Sequence, residues 1–243
     1  MPANTNFSSS GSVKSAPIWT NQYALVDEGS LFTASSVLAS ATFAAGTGIA
    51  TTTSVVDDAA TASATHAQNV PVAFMQNTGQ AGDPNAKSIY LQFLRMIVTA
   101  APTSATAWNF LFRLDNTARY TSGGTSIVPQ NVNPAFGNNT AMRMYFGAVV
   151  TALPGLATQR VVASGMVQST IPVVKDNWLF TFGDTSMPTN VLTASAAKNL
   201  TLPCGPVIIP PGWNCTLEMW GASNAGAPAW EFELGYAERF AGL

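Results

Sequence analysis

Residues 229–238 read Ala-Trp-Glu-Phe-Glu-Leu-Gly-Tyr-Ala-Glu, in which every second position is large and apolar: Trp230, Phe232, Leu234 and Tyr236. Successive side chains of a strand point to opposite faces, so a period of two buries one face and leaves the other polar. The pattern recurs along the chain. Ala107–Asp115 (AWNFLFRLD) puts Trp108, Phe110, Phe112 and Leu114 on one side and Asn109, Arg113 and Asp115 on the other. Met142–Thr151 aligns Met142, Met144, Phe146 and Ala148, and Trp178–Phe182 aligns Trp178, Phe180 and Phe182. Arg160–Val167 reads as a further strand. Ile89–Thr99 (IYLQFLRMIVT) is nearly continuous apolar, which fits a strand buried on both faces or a short helix.

Proline marks the boundaries. Pro172, Pro188, Pro203 and Pro228 fall between these runs, where a missing N–H breaks no ladder. Pro206–Ile209 is a short apolar strand ending at Pro210-Pro211-Gly212, a turn sequence, and Trp213–Trp220 resumes as a strand. About eight to ten strands and no long amphipathic helix predict an all-β chain, a β-sandwich that is jelly-roll-like, over residues 86–243. Strand pairing does not follow from these local patterns.

Residues 1–85 have another character. They are rich in Ala, Ser, Thr and Gly, and their charged residues are Lys14, Asp27, Glu28, Asp57, Asp58 and Asp83. This part reads as an extended, irregular N-terminal arm with long loops and a few strands, at Ile18–Val26 and Val70–Met75. Strands from 17–75 can also join the sandwich as one domain. Ala34–Ala45 and Thr51–Thr65 lack a clear period, and β-branched and Ser residues weaken a helix over Ala34–Ala45.

Only 9% of the residues are charged, against roughly 25% in ordinary soluble domains. With 47% hydrophobic residues, this excludes a charge-solvated disordered chain. No apolar run reaches the ~18 residues of a membrane-spanning helix, and Met1–Ser15 has no apolar core of the signal-peptide kind. The expectation is a chain made in the cytoplasm with no membrane partner. Nucleic acid is not an expected partner either. Non-specific binding needs several phosphates neutralised together, and ten basic residues are scattered over the chain, Lys14 alone preceding residue 87. Arg95, Arg113, Arg119, Arg143 and Arg160 sit on strand faces or turns, a placement suited to subunit contacts.

Little in the sequence supports reaction chemistry. His66 is the single histidine; Asp57 and Asp58 are weak partners for it, and a base needs a nucleophile and an orienting carboxylate. Glu231 and Glu233 share a strand face with Cα atoms roughly 6.5–7 Å apart, loosely the carboxylate pair of a glycosidase. The aromatic row lies on the opposite face, so these glutamates point to solvent or a neighbouring subunit. Gly46-Thr47-Gly48 and Ser122-Gly123-Gly124-Thr125 lack the further residues of a phosphate-binding loop and read as turns. No catalytic residue, cofactor or metal ligand is expected.

Cys204 and Cys215 are too few for a disulfide framework. They form either a local disulfide or two small buried thiols, and the second fits the usual burial of free Cys better. The Asn-x-Ser/Thr triplets at Asn138, Asn199 and Asn214 matter only in a glycosylating pathway. Trp230 belongs to the inward row, whereas Trp220 lies opposite Cys215, Leu217 and Met219. Trp213 and Trp220 are therefore the candidates for an interface or for stacking on a glycan.

Arg119–Thr125 (RYTSGGT), followed by Val128–Asn133 (VPQNVN), resembles a motif of tailed-bacteriophage virion proteins. Ile171–Val174, Trp178–Gly183, Val207–Gly212 and Trp230–Arg239 are similar to segments of the same proteins, so the resemblance spans about residues 88–240. It implies a head-associated β-sandwich that decorates or cements a capsid from its exterior, often as a homotrimer. Its partners would be the major capsid protein and copies of itself, assembled in the host cytoplasm. Scarce charge agrees, because interface cores are depleted in charged groups. The alternative is a host-recognition or glycan-binding module of a phage fibre or spike, using the tryptophans.

Overall fold

Alternating apolar residues become strands here, and the strands become two facing sheets. The computed structural model describes residues 21–36, 43–44, 70–101, 106–152, 158–170, 173–183, 199–221 and 229–240; within its helix and strands the side chains of 21–23, 43–44, 106–109, 148, 165–170, 199 and 220, Trp108 and Trp220 among them, are not described. One short helix, α1 (Asn21–Asp27), precedes β1 (Leu31–Ser35), β2 (Phe43–Ala44), β3 (Ala73–Asn77), β4 (Lys87–Ala100) and β5 (Thr106–Asp115). Then come β6 (Tyr120–Ile127), β7 (Gln130–Asn131), β8 (Met142–Thr151), β9 (Gln159–Thr170) and β10 (Asn177–Phe182). The last are β11 (Asn199–Cys204), β12 (Ile208–Ile209), β13 (Asn214–Gly221) and β14 (Ala229–Phe240).

Eight of these strands form a nested set. In chain order they are β1, β3, β4, β5, β9, β10, β13 and β14, and all pair antiparallel: β1 with β14, β3 with β13, β4 with β10, β5 with β9. First pairs with last, second with second-to-last, and so inward, as in one long ribbon. Rolling that ribbon brings β14 beside β4 and β13 beside β5. The resulting layers, β1-β14-β4-β10 and β3-β13-β5-β9, are those of a jelly roll. The remaining strands decorate the frame: β6 and β8 extend the second sheet beyond β3, β7 borders β1, and β11 runs parallel to β10.

The inward rows meet between the sheets. Trp230, Phe232, Leu234 and Tyr236 of β14 are buried, as are Phe110, Phe112 and Leu114 of β5 and Cys215, Leu217 and Met219 of β13. Phe180 of β10 packs edge-on against Phe110 and Phe112, with ring centroids 4.9 and 5.4 Å apart, and so joins the two layers. Each fully buried side chain of this size contributes roughly 1.5–3 kcal/mol.

β4 departs from expectation. It is neither a helix nor buried equally on both faces: Ile89 and Leu91 point inward, then Leu94, Met96 and Val98, while Tyr90, Phe93, Arg95 and Ile97 are half-buried. The phase slips because Gly235 and Tyr236 of β14 face Phe93 and Leu91, skipping Gln92. Such a bulge inserts one residue and shifts the alternation. A Cβ at position 235 would collide with the Phe93 ring, so any larger residue there would have to displace that ring. Gly123 and Gly124 are likewise not a turn; they lie inside β6, at φ 76 and 71, where its register with β8 shifts.

The N-terminal region holds further corrections. Ile18–Val26 is expected to be a strand, but residues 21–27 are α1. Its end has a signal in the sequence. Gly29 at φ 68 receives no Cβ penalty, its N–H donates to Val26 O, and Ser30 N–H donates to Leu25 O, closing the helix. Ala34 and Ser35 belong to β1, not to a helix, because β14 offers a ladder from Leu31↔Ala237 to Ser35↔Glu233. The strand expected at Val70–Met75 is β3, two to three residues later. Thus β1 and β3 of the first 85 residues are integral to the sheets. His66, Asp57, Asp58, Gly46–Gly48, Pro172, Pro188 and Pro228 lie outside the described residues.

Candidate functional site

The five arginines expected to face neighbours have partners within the chain. Arg95 ion-pairs with Glu233 across β4 and β14, and Arg119 Nε lies 3.1 Å from Asp115 Oδ2. The guanidinium of Arg143 stacks on Tyr120 and Tyr145, and that of Arg160 lies 5.4 Å from the Trp213 ring centre. Arg113 is buried with Glu218: its Nη2 donates to Oε2 at 3.1 Å, its Nε lies 3.0 Å from Oε1, and Gln159 accepts from Nη1. Scattered basic residues thus became paired ones: Arg95 has Glu233 directly opposite it in the β4–β14 ladder, Arg113 reaches diagonally to Glu218, and Arg119 finds Asp115 four residues back.

The acidic pair is divided in the same way. Glu231 and Glu233 do share the outer face of β14, but Glu233 is engaged by Arg95. Trp230 is fully buried against Trp178. Trp213 is partly buried against the core beneath Arg160, and Trp220 stands opposite Asn109 in the β13–β5 ladder. Trp213 thus packs within its own chain, and the side chain of Trp220 lies outside what the structure describes. Cys204 and Cys215 are free, buried thiols rather than a disulfide. Burial pushes the Cys204 thiol up to about 12 and raises Cys215 as well, with help from the Glu218 charge. Asn214 is also buried, its Nδ2 donating to Asp115 O and Thr117 O, which removes it as a glycan acceptor.

A polar cleft of about 490 Å³ opens between the loop 78–87 and the segment 138–141, both flanking the end of β14. Sequence reasoning missed it. Its floor is Glu238, 1% exposed, whose Oε1 accepts from Ala141 N–H at 2.7 Å and from the Thr140 hydroxyl. An ionised carboxylate only accepts, so Tyr236 donates in turn to Thr140, at 2.6 Å. Burial, then the Glu238 charge, hold the Tyr236 phenol well above its usual range. Lys87 Nζ lies 3.5 Å from Glu238 Oε2. The walls are tied to each other by Thr78, whose N–H and hydroxyl both donate to Ala141 O.

Exposed large apolar side chains among the described residues lie both on strands, at Val150, Val161, Ile208 and Phe240, and in connecting segments. Val128, Val132 and Phe136 lie in the segment after β6, and Val173 and Val174 in the turn before β10. Among the described residues no three His, Cys, Asp or Glu gather closely enough to hold a metal ion, and no helix is long and apolar enough to cross a membrane. Comparisons with protein-family models, curated proteins and solved structures find no match to this chain.

Proposed function

We propose that this chain is a non-enzymatic structural subunit of a phage virion, one that decorates or cements the capsid through contacts with copies of itself and with the major capsid protein. The observation that carries the reading is the turn 173–176. Val173 and Val174 stand 46% and 52% exposed side by side. Lys175 holds φ 79, a conformation that costs a non-glycine residue roughly 1–2 kcal/mol. Three hydrogen bonds keep it there: Lys175 N–H to Val98 O, Asp176 N–H to Val173 O, and Val173 N–H to Asp176 Oδ2. Strain retained where two apolar side chains project into water points to a surface that is stabilised when covered.

Other support is more general. Jelly rolls serve both capsid and lectin proteins, which is analogy at the level of fold. The motifs in residues 119–133 and 171–183 supply the phage context. With the arginines engaged internally, contact with a partner would be largely uncharged, and a stable contact needs about 1,200–2,000 Å² in total. Light scattering of the purified chain, with co-sedimentation on capsid shells lacking it, tests the reading. We expect a homotrimer that joins the shells, and weaker association for Val173→Ser with Val174→Ser. A chain that stays monomeric throughout and never sediments with shells overturns it.

A further inference from the structure

We propose that the cleft above Glu238 binds a neutral saccharide unit, a role separate from subunit adhesion. The inference begins with polar groups that the fold leaves over. Asp83 Oδ1 accepts from Asn85 N–H, and Asn138 Oδ1 accepts from Asn131 N–H, so each side chain spends one atom on its own loop. Asp83 Oδ2, the Asn85 amide, Asn138 Nδ2 and the whole Asn139 amide have no partner among the described residues, and all four residues are exposed and line the cleft. Lys87 adds an ammonium that is 36% exposed while it pairs with Glu238.

Charge narrows the ligand class. A divalent cation would meet one free carboxylate, Asp83, with the Lys87 ammonium beside it, far short of the six to eight oxygen ligands calcium takes. An anion would be set against Asp83 and the buried Glu238 carboxylate. An apolar ligand would strand the amides and find only Gly79, Ala86 and Ala141 as apolar wall. A polyhydroxyl ring suits what remains, because each hydroxyl both donates and accepts and carries no charge. The volume lies within the roughly 300–1,000 Å³ of small-molecule sites.

The cleft is also preformed. Thr78 bridges the two walls through Ala141, and the Tyr236–Thr140–Glu238 chain anchors the floor in the core. Walls and floor are thus held before a ligand arrives, while the exposed Asn85 and Asn139 side chains would still lose rotamer freedom on binding. With no aromatic side chain in the lining, affinity would rest on hydrogen bonds alone, in the roughly millimolar range.

The test uses the full chain, titrated separately with the methyl glycosides of glucose, galactose, mannose and N-acetylglucosamine. Saturation-transfer NMR reads contact, and amide shifts of residues 138–141 read location. Asn139→Ala removes a side chain with no internal bond, and Asp83→Asn keeps the loop acceptor while exchanging Oδ2 for a donor. Each variant is expected to melt like the parent and to bind at least one of the four glycosides about tenfold more weakly. Trp213→Phe is expected to leave binding unchanged. The idea is overturned if none of the glycosides shifts residues 138–141, if both variants bind as the parent does, or if weakening follows Trp213→Phe instead. Calcium chloride or sodium phosphate shifting the same amides at lower concentration than every glycoside also overturns it.

Discussion

Asn77, at the end of β3, is fully buried and uses all of its side-chain reach. Its Nδ2 donates to Lys87 O at 2.7 Å and to Ile209 O at 2.9 Å, while its Oδ1 accepts from Gly79 N–H at 3.0 Å. One amide thus fastens the start of β4, β12 and the cleft loop to β3. Asn77→Ala removes three bonds worth about 0.5–1.5 kcal/mol each and leaves their partners unmet, a loss of roughly 2–4 kcal/mol. For a chain of this size that lowers the melting temperature by about 4–16 °C. Asn77→Asp has the same shape but turns a carboxylate toward two carbonyl oxygens. Burial there raises the folded-state pKa of the new carboxyl above its unfolded value, so the penalty is full at neutral pH. It shrinks as pH falls through that raised value, because the protonated acid regains one donor. Melting followed by circular dichroism at several pH values reads both effects. A drop of less than about 2 °C for Asn77→Ala, or an Asn77→Asp penalty that ignores pH, would refute the reasoning.

Three other outcomes follow from the packing. Arg113→Met or Glu218→Leu alone strands a buried charge and is expected to cost about 3–5 kcal/mol, while the double substitution recovers most of it; urea denaturation checks this, and single losses under about 1 kcal/mol would match a surface pair instead. Gly235→Ala is expected to destabilise by about 1–3 kcal/mol through collision with Phe93, and Phe93→Ala in the same chain to relieve the collision; equal costs with and without Phe93 speak against it. Cys204 and Cys215 are expected to ignore Ellman's reagent in the native chain and both to react after unfolding. Because folding raises the Cys204 thiol from 9.0 to about 12, the unfolded chain loses its proton first, and stability falls as pH climbs through that window; a flat alkaline stability profile counts against this.

Local periodicity made β5, β8, β10, β13 and β14 legible, along with the inward row from Trp230 to Tyr236. A two-residue repeat is a property of adjacent residues, and burial of one face enforces it wherever the strand ends up. The jelly-roll-like sandwich followed from the number of such strands and from prolines read as lying between them, although Pro203 sits inside β11, an edge strand where a missing N–H is tolerated. Where the signal was weaker, the reading slipped. Ile89–Thr99 looked continuous because a bulge at Gln92 interrupts its alternation, and α1 was missed because seven residues carry too little pattern to outweigh the apolar run Ala24–Val26.

The sequence alone settled that this chain is all-β, scarcely charged, and built from strands that hide aromatic rows. Tertiary structure decided the rest. Ala141 meets Glu238 across 97 residues, Arg113 meets Glu218 across 105, and Asn77 meets Ile209 across 132. Which strand lies beside which is set by the free energy of the whole rolled ribbon, not by any stretch of it. The Arg95–Glu233 and Arg113–Glu218 pairs, the burial of the thiols and the polar cleft therefore arise only when distant segments are brought together.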